Sequence, residues 1–145
     1  MVMSTQEKVR VSVAHRFTAS AERVFDAWLD PCTAGKWLFA TITGQVVRCE
    51  IDARAGGSFR IVDRRDSQDV EHVGEYLMID RPRRLVFTFK VPKYSQEITR
   101  VTVDIAPASV GCELTLSHEG VLAEYASSTE AGWKGILDTL AETLK

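Results

Sequence analysis

A chain of 145 residues is one domain's worth, and a domain of that size buries roughly 70% of the surface its unfolded chain exposes. Its residues are 45% hydrophobic and 26% charged, which excludes a disordered or collagenous chain. Eighteen basic residues against 20 acidic ones leave a formal charge of −2, which argues against a nucleic-acid binder, because those carry a basic excess.

Residues 1–8 read as a polar tail. From Val9 to Phe17 the odd residues Val9, Val11, Val13, His15 and Phe17 share one face, the pattern of a half-buried strand. Ser20 is placed as the N-cap of a helix carrying Ala21, Val24, Phe25 and Trp28 on one side. Pro31 stops that helix, and 32–38 reads as a second short helix ending near Trp37.

Strands follow. Val47, Cys49 and Ile51 alternate with Val46, Arg48 and Glu50, then Gly56-Gly57 turns the chain into Phe59 and Ile61. A charged turn over 63–69 leads to a strand over 70–79, with Gly74 inside it as an expected bulge. Leu85, Phe87 and Phe89 share a face, as do Val101, Val103 and Ile105, and finally Cys112, Leu114, Leu116 and His118. Gly120 is placed at the end of the sheet. Trp133, Ile136, Leu137, Leu140 and Leu144 recur at helical spacing, so the last 25 residues hold the one long helix.

The class is therefore α+β, in the order β-α-α-β6-α, with the six later strands joined as an antiparallel meander. A curved sheet gripping one helix is not filled by that helix everywhere, so an interior cavity is expected.

Cys32, Cys49 and Cys112 show no CxxC and no paired spacing; they read as reduced thiols of a cytoplasmic protein. No leader-like segment and no apolar run near the ~18 residues of a membrane span is found, so membrane insertion is not expected. No HExxH, GxSxG or GxGxxG occurs, and neither a metal nor a cofactor is expected.

Five stretches, VFDAWLDP (24–31) with Trp37, RAGGSF (54–59), GEYLMIDRPRRLVFTF (74–89), LTLSHEG (114–120) and AGWKGILDTL (131–140), resemble the bacterial relatives of the C-terminal domain of the heat-shock protein 90 ATPase activator. That family lies in the START-like superfamily, also called SRPBCC or helix-grip. The resemblance implies a single START-like domain over 1–145, a sheet of about seven strands with the first beside the last, and the long helix laid across its concave face over a cavity. It also implies that Trp133 looks into that cavity.

Inward parity and the implied cavity together select the ligand-binding candidates: Trp37, Phe59, Tyr76, Phe87 and Phe89 first, then Leu116, His118, Trp133 and Leu137. Trp37, Phe59, Phe87, Phe89 and Trp133 are expected to line one continuous cavity. Gly132 and Gly135 each cost ~1 kcal/mol in a helix interior. They imply close packing, a helix that starts after 132, or room for a ligand. Ser127 or Ser128 would then be the N-cap, and 121–132 a mobile lid. If the helix is instead a rigid cover, a ligand enters past the loops near Arg65 and Tyr94.

His118 is expected to hydrogen-bond the cavity wall and not to act as a base, since no second titratable group is placed to orient it. With the first and last strands antiparallel, His118 lies opposite Val11 and roughly 13 Å from His15 at ~3.3 Å per residue, too far to share a metal. His72 is placed near a hairpin and exposed. Arg64, Arg65, Arg81, Arg83 and Arg84 read as solvated turns, with a patch for an acidic partner as the alternative.

The preferred function is binding of a small apolar or amphipathic molecule, as carrier, sensor or sequestering protein. A co-chaperone or other protein-interaction module, with a homodimer open, comes second. A cyclase- or hydrolase-type enzyme comes third, because only His118 and Tyr76 could serve as acid or base.

Overall fold

The computed structural model describes residues 7–39 and 44–145. Seven strands form one antiparallel sheet: β1 (Lys8–Phe17), β2 (Gln45–Ile51), β3 (Ser58–Arg65), β4 (Gln68–Asp80), β5 (Arg84–Phe89), β6 (Thr99–Pro107) and β7 (Cys112–Leu122). Their order across the sheet is β1-β7-β6-β5-β4-β3-β2. Helices α1 (Ala21–Leu29), α2 (Pro31–Trp37) and α3 (Ala126–Thr143) cover it. The α+β order and the β1–β7 pairing are those expected, and Val11 does face His118. Of the expected tail, residues 1–6 lie outside the described residues; Glu7 accepts a backbone bond from Ala123 at 2.9 Å, and Lys8 opens β1.

Local chemistry explains the junctions. Ser20 Oγ accepts from Arg23 N at 3.2 Å and starts α1. Asp30 caps α2 through Cys32 N at 3.2 Å, with Pro31 at the first helical position, where its missing N–H costs nothing. Asp66 and Ser67 make a two-residue turn with φ of 48° and 68°, the left-handed pair that suits the twist of a β-hairpin.

Three strand expectations are corrected. The register of β2 shifts between Val46 and Arg48, so Val46 turns inward and Val47 is 41% exposed. The irregularity in β4 falls between Tyr76 and Met78 and not at Gly74, which pairs regularly with Phe59. Gly74 marks a close approach instead, since a Cβ there would overlap Thr88 O and the Phe59 ring. The sheet also runs on past Gly120 to Leu122.

The core lies between the inner face of the sheet and the three helices. Trp28, Trp37 and Phe25 are its largest fully buried members, with Leu114 and Leu140 fully buried beside them. Helix α3 packs chiefly on β1 and on α2. It therefore covers one side of the concave face and stands away from the side formed by β2, β3 and β4.

Candidate functional site

Where α3 stands away, a cleft of about 1360 Å³ opens between it and the inner ends of β2 to β5. That exceeds the ~300–1000 Å³ of most small-molecule sites. Its floor is aromatic. Phe39 stacks on His72 with ring centroids 4.5 Å apart and planes 2° apart, and on Phe89 at 5.0 Å. His118 meets Phe89 edge-on at 5.6 Å and Trp133 at 6.0 Å. Such offset and edge-on pairs are favoured by the ring quadrupole.

A hydrogen-bond chain holds the floor in place. Trp133 Nε1–H donates to His118 Nδ1 at 3.0 Å. An indole nitrogen can only donate, so Nδ1 is bare and the proton sits on Nε2. Nε2–H then donates to Thr99 Oγ1 at 2.7 Å, and Thr99 Oγ1 donates to Phe89 O at 3.0 Å. Burial pulls the His118 pKa down to about 4, so the ring is neutral at pH 7 with both nitrogens committed. Neither partner is a carboxylate. As it stands, His118 has no free lone pair with which to abstract a proton.

His72 corrects an expectation. It is buried, not exposed, because it shares the inner face of β4 with Val70 and Tyr76. Its Nδ1–H donates to Ile61 O at 3.2 Å, and burial pulls its pKa down to about 4. Burial likewise pushes the Tyr76 phenol far above its usual value, so it is a poor base at neutral pH. His15 is only half-buried and bonds Asp138 Oδ1 through Nε2 at 3.1 Å.

The roof is α3. It starts at Ala126, well before Trp133, after a single 3₁₀ turn over Ala123–Tyr125. Neither Ser127 nor Ser128 caps it; Ser128 Oγ donates back to Tyr125 O at 3.0 Å. Gly132 and Gly135 thus lie inside the helix, and among the described residues no atom beyond their chain neighbours and the adjoining helix backbone stands within 4 Å of where a Cβ would be. A late helix start and close packing are both excluded, and room above the aromatic floor remains.

The nine candidate residues separate into three groups. Phe89, His118 and Trp133 line the cleft. Phe59, Tyr76 and Phe87 border a void of about 10 Å³, at most the space of one water. Trp37, Leu116 and Leu137 are buried core, with Trp37 Nε1 donating to Ala27 O at 3.1 Å. One continuous cavity through Trp37, Phe59, Phe87, Phe89 and Trp133 is therefore not formed. The reason is Phe39, whose ring stacks between Phe59 (6.3 Å) and Phe89 and divides the space. Its backbone is left-handed, with φ 61°, a conformation a bulky residue adopts only at a cost.

Phe39, His72, Lys36 and Arg65 line the cleft but were not selected from the sequence as ligand-binding residues. His72 was readable, since Gly74 and Tyr76 follow it at strand spacing. Phe39 sits in a connection after α2, where no periodicity exists to read. Tyr94 and Arg65, named as the alternative way in, both border the opening. The arginines of the turns are neutralised locally: Arg81 pairs with Asp26 at 2.7 Å, Arg83 with Asp80 at 3.0 Å and Arg84 with Asp104 at 2.6 Å. Among the described residues no group of His, Cys, Asp or Glu side chains could hold a metal ion, and no helix is long and apolar enough to cross a membrane.

A curved seven-stranded antiparallel sheet gripping a C-terminal helix is the architecture of the START-like superfamily. Residues 18–145 match the family described as activator of Hsp90 ATPase homolog 1-like protein, and the chain belongs to that family. Among solved structures, a protein of Chromobacterium violaceum is similar over 92% of this chain and 94% of its own, with 26% identity and a TM-score of 0.85. An AHSA1-like protein of Aeromonas hydrophila is 22% identical with a TM-score of 0.80, over 94% of this chain and 92% of its own. A protein of unknown function from Staphylococcus aureus is 18% identical with a TM-score of 0.84, over 94% and 93%. Comparison with curated protein sequences finds no match.

Proposed function

We propose that this protein binds a small, largely apolar or amphipathic molecule in the cleft beneath α3, acting in the cytoplasm as a carrier, sensor or sequestering protein. One observation carries the reading: two glycines in the middle of α3 face open space above a floor of stacked aromatic rings. Each glycine costs a helix interior ~1 kcal/mol against alanine, and no packing contact requires it. A flat apolar molecule would gain stacking on Phe89 and Trp133 and would need just the volume that side chains at 132 and 135 would take. Phe89, His118 and Trp133 are the members of the original set that serve it; Phe59, Tyr76 and Phe87 support the floor from behind.

Binding is favoured over catalysis because the cleft histidines are neutral and hydrogen-bonded. It is favoured over a co-chaperone role because the turn arginines that could meet an acidic partner are paired with this chain's own aspartates.

The test narrows the cleft without removing any contact. Gly135→Leu has room for its side chain and improves helix propensity. The neutral fluorophore phenylnaphthylamine should bind the wild type saturably, and Gly135→Leu should weaken it roughly tenfold or more, the equivalent of ~1.4 kcal/mol. Equal affinity in a folded Gly135→Leu protein would overturn the reading.

A further inference from the structure

The aromatic floor has one charged side. On β3 the side chains of Ile61, Asp63 and Arg65 take the inner face in turn, and the last of them reaches the cleft. Asp63 is fully buried, and its Oδ2 accepts from Arg65 Nε at 2.5 Å. That bond fixes the plane of the guanidinium. The two Nη groups make no hydrogen bond among the described residues, and the side chain is 31% exposed, facing the cleft. A guanidinium held by one edge offers its remaining donors as a rigid fork, the shape that receives an oxyanion.

Lys36 reaches the same cleft from α2. Helix α2 packs on β2, whose Gln45 neighbours β3 at Arg64, so Lys36 and Arg65 belong to the same end. Lys36 forms no ion pair among the described residues. Asp63 offsets the charge of Arg65 but leaves its outer donors available, and Lys36 supplies the unbalanced positive charge. The acid on the cleft wall is Asp138, on α3. It is bonded to His15 and its side chain is 74% exposed, so water screens it far more than it screens Arg65. His72 and His118 contribute no charge at neutral pH.

We propose that the ligand is an amphipathic anion: a flat apolar body lies on Phe39, Phe89 and Trp133, and a carboxylate or similar oxyanion lies in the fork of Arg65 with Lys36 beside it. This rests on the reading of the cleft as a ligand site and adds the chemical class of what enters it.

Two dyes with one shared skeleton separate the two claims. Phenylnaphthylamine is neutral, and anilinonaphthalene sulfonate is the same body with an oxyanion attached. Each is titrated into the wild type, Lys36→Gln, Arg65→Gln and Gly135→Leu, and the readout is the ratio of the two dissociation constants. Arg65→Gln should weaken the sulfonate dye about tenfold more than the neutral dye, the order expected for one charge-assisted contact. Lys36→Gln should shift the ratio the same way by about two- to threefold, as a more exposed charge does. Lys36 is exposed and forms no ion pair among the described residues, so its substitution leaves the fold intact and decides the matter should Arg65→Gln unfold. If both dyes bind and Gly135→Leu weakens both, but neither charge variant moves the ratio, the anion proposal fails and the cleft reading stands. If neither dye binds, or Gly135→Leu changes neither, both fail.

Discussion

His118 and His72 are neutral rings buried in the floor of the cleft, and each has its pKa drawn down to about 4 by burial. In the unfolded chain both would titrate near 6.5. Between those values the unfolded state holds more protons than the folded state, so stability falls as the pH drops. The contribution is fully present above about pH 6.5 and is lost as the pH falls towards about 4, on the order of 3 kcal/mol per histidine. Urea midpoints at pH 7 and pH 4.5 should differ accordingly, and a flat profile would contradict the burial argument. Trp133→Phe keeps most of the apolar surface but removes the donor to His118 Nδ1. It should cost about 1–3 kcal/mol in denaturant unfolding, because a buried acceptor is left unmet. At this scale the sequence was informative wherever a residue sat inside a regular strand: His118 and Phe89 were placed inward by parity, whereas Trp133, on α3, was placed by helical spacing and by the family resemblance. It failed at His72, where proximity to a turn outweighed the same parity argument. It could not show Phe39, whose position depends on a left-handed backbone in a connecting segment.

Elements carry the next set of consequences. Gly135 and Gly132 face open space, so Gly135→Ala should raise stability by about 0.5–1 kcal/mol through helix propensity alone. Gly74 is the opposite case, because a Cβ there meets Thr88 O and the Phe59 ring. Gly74→Ala should lower stability by about 1–3 kcal/mol, as overpacking does. Thermal or urea unfolding of the two variants checks both signs, and any result giving them the same sign would show that the helix–sheet gap is wrongly described. Element type and order were legible because periodicity of two and of 3.6 is long-lived in β1, β6, β7 and α3. What could not be read was where each pattern stops. The bulge in β2 follows from local register between Val46 and Arg48, and the start of α3 at Ala126 follows from a 3₁₀ turn without a side-chain cap. Neither leaves a clear mark in composition.

At the scale of the whole molecule, the fold explains why a cleft exists and the sequence explains where it lies. The helix is committed to β1 and α2, and among the described residues Phe39 partly closes the far side of the concave face. Among the described residues that ring and two glycines border the opening, and the inward-parity list was too broad: it gathered core and lining together. The three tryptophans, Trp28, Trp37 and Trp133, now offer a direct measurement. Trp133 lines the cleft, Trp37 is tied to Ala27 O within the core, and Trp28 is buried behind them. In a ¹H–¹⁵N spectrum the three indole N–H signals can be followed while phenylnaphthylamine is added. Binding beneath α3 predicts that the Trp133 signal shifts most, that Trp28 (its ring 6.3 Å from that of Trp133) follows weakly, and that Trp37 stays nearly still. No movement of Trp133 at saturating dye, or an equal shift in the Gly135→Leu protein, would contradict the cleft as the binding site.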